Sequence, residues 1–287
     1  MNTHQKKAIK QKLLEYCEKY DSQNKASNSL KGVSTATISQ VLNNNWEQIA
    51  NEMWLKIAKQ IGCSSKELTI VQTANFKFLN SILKDAALNS TVYAVIDNAG
   101  SSKTVTTKHY TESNKRAYRI ECNEYWNRKM FLSELISVLG RDASGLNVNE
   151  MVVDIVRTLK VQENPIIIID EFDKVNDQVL YFFITLYNQL QDECGIVLCS
   201  TDHLEKRIKR GLRLNKKGYK EFYSRIGRKF IELPGVNSSD VTQICLANGI
   251  TNKQDVKEVI EDCEYDLRRV KRKIHALKNV SEHGSPN

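Results

Sequence analysis

The stretch Pro165-Ile166-Ile167-Ile168-Ile169-Asp170-Glu171-Phe172-Asp173 limits the possible folds more than any other part of the chain. Four consecutive isoleucines after a proline describe a strand buried on both faces, as in a parallel sheet. Such a strand ends where water begins, and this one ends in Asp170-Glu171. Two carboxylates at the carboxyl end of a central parallel strand sit where open α/β sheets bind ligands. The first acid suits a hydrated Mg2+, and the second suits a water that must be oriented or deprotonated. A plainer reading stands beside this one, in which the acids only cap the next helix.

The second constraint lies upstream. Val92–Ile96 reads as the first strand of an α/β domain, and it runs straight into Asp97-Asn98-Ala99-Gly100-Ser101-Ser102-Lys103-Thr104. A helix is expected from Val105 to Glu112. Strand, small-residue loop, Lys-Thr and helix make the layout of a phosphate-binding loop. In that layout the backbone from Asn98 to Val105 faces the phosphates, Lys103 neutralises the β/γ oxygens and Thr104 reaches Mg2+. The pattern G-x-x-x-x-G-K-[ST] is broken at Asp97 and Ser102, and Gly100 is the glycine that is left. The Cβ of Ser102 is expected to crowd the approach of backbone to phosphate, and turnover to be weak for that reason.

Further strands are expected over 116–122, 195–200 and 229–233, the fourth ending in Ser200-Thr201-Asp202. A polar residue there, beside the acidic strand, can sense the γ-phosphate or hold the attacking water, so Ser200 and Thr201 join Glu171 as candidate catalytic residues. Tyr125, Trp126, Arg128 and Lys129 put two aromatics beside two cations at a loop-helix junction, which suits stacking and phosphate contact. Packing of Trp126 under the helix is the competing reading. Pro234-Gly235 is a break, and three short helices follow it.

Charge points to the partner. The 287 residues carry a formal net charge of +8, which favours a polyanion. From Lys206 to Lys229 there are eleven Lys/Arg against one acid, Glu221. Lys206, Arg207, Lys209 and Arg210 are therefore candidate contacts to DNA. No apolar run approaches the roughly 18 residues of a membrane span. The seven cysteines contain no Cys-x-x-Cys, and cytosol is the consistent compartment.

The first sixty residues read separately. A helix over 6–19, a short helical segment ending at Leu30, a turn at Lys31-Gly32-Val33 and a helix opened by Ser34 are the parts of a helix-turn-helix. Ser34, Thr35, Thr37 and Gln40 are expected on its exposed face, where short polar side chains reach phosphates or base edges. A third helical stretch is expected to include Trp46, Ile49, Met53, Ile57 and Ile61. A small interaction domain with solvated serines is the alternative.

The ordered set of phosphate loop, acidic strand, polar-ended strand, Tyr223-Ser224-Arg225-Ile226 and helical end resembles the AAA+ ATPases. The resemblance covers about Leu68 to the C-terminus. It implies a five-stranded parallel sheet with helices on both faces, a small all-α lid, and ATP with Mg2+ as ligands. It implies that Asp170 and Glu171 are the Walker B acids, that Ser200 or Thr201 is the first sensor, and that Arg225 is the finger offered to a neighbouring subunit. Arg268, in Asp266-Leu267-Arg268-Arg269, looks like the lid's sensor arginine. The expected domains are 1–66 (helix-turn-helix), 67–235 (AAA+ core) and 236–287 (lid).

The domain order, Thr73-Ala74-Asn75-Phe76 and Ser200-Thr201-Asp202-His203 are similar to the phage Mu B family of transposition proteins. That similarity implies ATP-dependent binding of double-stranded DNA by a ring or helical filament, target capture, and activation of a transposase in a bacterial or phage-infected cell. A helicase loader or replication initiator shares the same core and charge, and a non-hydrolysing DNA-binding regulator is a third possibility.

Overall fold

The structure is a computed structural model that describes residues 3–18, 20, 22–61 and 68–283. The expected boundary at 66/67 and the segment Cys63–Lys66 lie outside the described residues. The chain separates into two compact units, Met1–Thr69 and Ile70–Asn287.

The first unit contains α1 (Thr3–Cys17), α2 (Gln23–Ser29), α3 (Thr35–Leu42) and α4 (Asn51–Gln60). Ile9, Leu13, Ala26, Leu30, Ile38, Val41, Trp54 and Ile57 form its buried core. Serine side chains cap the starts of the short helices. Ser22 Oγ accepts from Lys25 N at 3.3 Å, and Ser34 Oγ accepts from Thr37 N at 3.1 Å. Between them Gly32 has φ +65°, a turn conformation that other residues adopt at a cost. Trp46 falls outside the third helical stretch. Its indole N–H donates to Val41 O at 2.9 Å, and its ring meets Trp54 edge-on.

The second unit is a parallel sheet flanked by helices. In chain order it runs α5 (Ala74–Asn89), β1 (Val92–Ile96), α6 (Lys103–Ser113), β2 (Ala117–Glu121), α7 (Arg128–Val138), α8 (Val148–Lys160) and β3 (Ile166–Asp170). It continues with α9 (Asp177–Leu190), β4 (Gly195–Ser200), α10 (Asp202–Arg213), α11 (Tyr219–Arg225) and β5 (Ile231–Glu232). The final helices are α12 (Ser238–Ala247), α13 (Lys253–Asp262) and α14 (Leu267–His283). The strand order is β2-β3-β4-β1-β5, with every pairing parallel.

Every residue of β3 and β4 is buried, because helices cover both faces. Ile167, Ile169, Ile196 and Leu198 pack with Phe131, Leu135, Phe183 and Phe222 on one side. Ile166, Ile168, Val197 and Cys199 pack with Leu79, Leu83 and Tyr110 on the other. Burying one such side chain contributes about 1.5–3 kcal/mol, so the isoleucine run is a main stabilising feature.

Several boundaries differ from expectation. β5 shrinks to Ile231–Glu232, the two residues that pair with β1. The helix after the phosphate loop begins at Lys103, not Val105. The helix after β2, expected from Phe131 to Leu139, begins at Arg128, and Trp126 beneath it is 5% exposed, which settles that side chain as core. The six described cysteines are free and buried.

Candidate functional site

The loop from Asp97 to Ser102 leaves the end of β1 beside the end of β4. Ile96 is in register with Ser200, and Asp97 N donates to Ser200 O at 3.3 Å. Gly100 and Ser102 have φ of +82° and +77°. The left-handed region costs a residue with a Cβ about 1–2 kcal/mol. The backbone at 102 therefore asks for glycine before any phosphate arrives, a reason different from the crowding expected from sequence. Ser102 precedes α6 without capping it, and its hydroxyl is buried with no hydrogen-bond partner. Gly100 is needed for a second reason, because a Cβ there would run into the Asp266 carboxylate. Leu267 N donates to Gly100 O at 3.0 Å, so the start of α14 lies against the loop.

Lys103 folds back over the loop, its Nζ donating to Asp97 O at 2.7 Å, Asn98 O at 2.9 Å and Ser101 Oγ at 3.0 Å. Burial pushes its pKa below that of an ordinary lysine. Asn98, Ala99 and Val105 are exposed, whereas Ser101 is buried. Asn75, fully buried at the start of α5, braces the loop from behind. Its Nδ2 donates to Ser101 O at 3.0 Å and to Asp97 Oδ2 at 3.3 Å, and its Oδ1 has no partner.

The loop joins the acidic strand through Thr104, whose Oγ1 donates to Asp170 Oδ2 at 2.9 Å. The same Asp170 oxygen accepts from Arg119 at 2.6 Å, and its Oδ1 accepts from Glu171 N at 3.0 Å. Glu171 has φ +55° and pairs with Lys174. Asp173 holds the neighbouring strand end, accepting from Thr201 Oγ1 at 2.7 Å. Ser200 is 1% exposed and donates to Thr201 O at 3.1 Å.

These groups fit nucleotide with Mg2+. The loop leaves a buried hydroxyl at Ser102 unpartnered, as expected where an anion completes the hydrogen bonding. Among the described residues no three His, Cys, Asp or Glu side chains cluster as a metal site. One carboxylate and one hydroxyl suit a Mg2+ that keeps its waters and takes further oxygens from phosphate.

The two arginines of the resemblance make these contacts within the chain. Arg225, expected to serve a neighbouring subunit's site, lies over the Tyr187 ring and donates to Asn188 Oδ1 at 3.0 Å. Arg268 is exposed, two residues past Asp266, whose Oδ1 accepts from Arg268 N at 2.7 Å.

The candidate DNA contacts fall in three places. Arg128 and Lys129 are exposed on the first turn of α7, next to Tyr125, which is 70% exposed. On α10, Lys206 pairs with Asp202 and Lys209 with Glu205, while Arg210 is exposed and lines a shallow cleft with His203 and Lys216. Arg207 turns inward instead. It bonds Val175 O, Asp177 Oδ1 and, at 3.3 Å, Tyr219 Oη, which ties α9, α10 and α11 together. Burial pushes the Asp177 carboxyl up, but the bonds from Arg207 and Tyr219 outweigh it and hold the pKa below the usual range. In the first unit Ser34 is exposed and spent on its cap, and Thr35, Thr37 and Gln40 are half-buried.

Sequence reasoning missed Arg119, Asn75 and Asp173. Arg119 was signalled only by register. It lies two residues before Glu121, the partner of Asp170, and so shares a face with that acid.

Residues 87–208 match the family described as AAA domain. The middle of the chain is thus a AAA+ ATPase domain, and the activity such a domain carries is ATP binding and hydrolysis, generally with Mg2+. No curated protein matches the chain. No helix among the described residues is long and apolar enough to cross a membrane.

Proposed function

We propose that the protein is an ATP-dependent DNA-binding ATPase that captures target DNA and activates a transposase in DNA transposition. The observation that carries this reading is the run of eleven Lys/Arg from Lys206 to Lys229 on the unit that also holds the ATPase domain. Exposed cations at Arg210, Lys216, Arg128 and Lys129 support contact with a phosphate backbone. The capped helices α2 and α3, joined by the Gly32 turn, support a helix-turn-helix whose Ser34, Thr35, Thr37 and Gln40 face DNA.

At the nucleotide site, bound ATP and Mg2+ supply the phosphoanhydride bond and the charge that polarises it. Lys103 leaves the carbonyls of Asp97 and Asn98 for phosphate oxygens. Thr104 Oγ1 and Asp170 hold the metal, and Glu171 takes the proton of the attacking water. Ser200 and Thr201, the latter braced by Asp173, orient the γ-phosphate side. Arg268 reaches the phosphates from the helical lid formed by α12–α14, and Arg225 completes the site of the next subunit in a ring or filament. The protein works in the cytoplasm.

The test is electron microscopy of the full chain with duplex DNA, with and without ATP, together with turnover measured in both conditions. ATP-dependent filaments or rings on DNA and DNA-stimulated turnover are expected. Nucleotide-independent binding without turnover favours a plain DNA-binding regulator.

A further inference from the structure

Arg119 is the middle residue of β2, an edge strand on which an arginine would ordinarily reach solvent. Here α6 covers that face, and the side chain is only 10% exposed. Its Nε donates to Thr107 Oγ1 at 3.0 Å, and one terminal nitrogen donates to Glu121 Oε2 at 2.8 Å and to Asp170 Oδ2 at 2.6 Å. The guanidinium is therefore fixed by α6, β2 and β3 at once. The Asp170 oxygen it meets is the one that accepts the Thr104 hydroxyl.

We propose that Arg119 is a resident countercation of Asp170 that sets how much Mg2+ the nucleotide site requires. The inference rests on the reading that Thr104 and Asp170 hold the metal. A carboxylate with 2% of its side chain exposed is costly to leave unpaired, and Arg119 neutralises it before any metal arrives. A metal entering beside Thr104 then meets an acid already neutralised and a fixed positive charge within a few ångströms. Metal binding and the Arg119–Asp170 pair oppose one another. Glu121 makes the exchange feasible, because Arg119 keeps that carboxylate and Thr107 when Asp170 turns to the metal. The pair stabilises the chain before metal arrives, and nucleotide binds tightly only when Mg2+ is plentiful.

The test uses the full chain and a fluorescent ATP analogue whose binding is titrated with Mg2+. Wild type is compared with Arg119→Met, Arg119→Gln and Arg119→Lys. Arg119→Gln keeps a hydrogen-bond donor without the charge, so the comparison survives if Arg119→Met does not fold. Removing the charge is expected to lower the half-saturating Mg2+ by about tenfold, and Arg119→Lys is expected to stay near wild type. The thermal midpoint of the metal-free protein should fall in the Met and Gln variants, and the gap should narrow with Mg2+ and nucleotide. An unchanged or raised Mg2+ requirement in both neutral variants, with a Mg2+-sensitive wild type, overturns the role of Arg119 alone. Wild-type binding that ignores Mg2+ and is unaffected by Thr104→Ala overturns the site reading and this inference with it.

Discussion

Thr104 at the start of α6 and Asp170 at the end of β3 share a hydrogen bond of 2.9 Å, which ties the phosphate loop to the acidic strand. Lys103, one residue earlier, spends three hydrogen bonds on its own loop. The lysine is thus held ready to exchange neutral carbonyls for phosphate oxygens. Lys103→Ala is expected to abolish ATP binding, since charge-assisted bonds are worth about 1.5–3 kcal/mol each. Calorimetric titration with ATP checks this, and equal affinity in wild type and variant would remove the loop from the site.

Glu171 is expected to act on water rather than to hold nucleotide. Glu171→Gln should leave ATP affinity unchanged and slow turnover by about 10²–10⁴-fold, the usual contribution of a positioned base. Single-turnover kinetics with binding measured in parallel separates the two effects. A large loss of affinity would mean that the side chain acts structurally, through its pair with Lys174.

Ser102 combines a left-handed backbone with a buried, unpartnered hydroxyl. Ser102→Gly removes both burdens, and about 1 kcal/mol of stability is expected in return. For a unit of this size that raises the thermal midpoint by roughly 2–4 °C. Scanning calorimetry without nucleotide is the check. A lower midpoint would show that the strain at Ser102 costs less than the chain entropy that glycine adds to the unfolded state.

The parts of this fold that could be read from sequence are those in which one strong local signal meets one place in the sheet. Val92–Ile96 and Ile166–Asp170 are apolar runs between breakers, and both strands form over those residues. The loop between Ile96 and Lys103 was legible from its small residues despite the missing glycines. The expected strand 229–233 was too long because only Ile231 and Glu232 pair with β1, which the apolar pattern alone does not reveal. Arg119 and Arg207 were opaque for one reason. A single charged residue in a strand or helix reads as solvent-facing, and only the packing of α6 on β2, or of α11 on α10, turns it inward. Asn75 gave no signal, because its role depends on a loop that follows it by more than twenty residues.

Arg207 and Arg210 are neighbours in sequence with opposite expected phenotypes. Arg207→Met breaks the clasp to Asp177, Tyr219 and Val175 O, and should cost about 2 kcal/mol, discounted for partial exposure. Arg210→Ala should leave stability within about 0.5 kcal/mol and reduce the salt slope of DNA binding by about one. Chemical denaturation and binding over a salt series check the pair. Equal stability loss in both would erase the distinction.

Arg225, now packed on Tyr187 of its own chain, links DNA binding to assembly if a neighbouring subunit's site uses it. A single subunit touching a few phosphates binds weakly at physiological salt, and an assembly multiplies the contacts without new chemistry. The direct measurement is duplex-DNA affinity with sedimentation, across a salt series, in ATP, in ADP and without nucleotide. Large assemblies that bind DNA tightly in ATP alone, and that Arg225→Ala dissolves while sparing ATP binding by the isolated subunit, are the expected result. Monomers that bind duplex DNA equally well in all three states would contradict it.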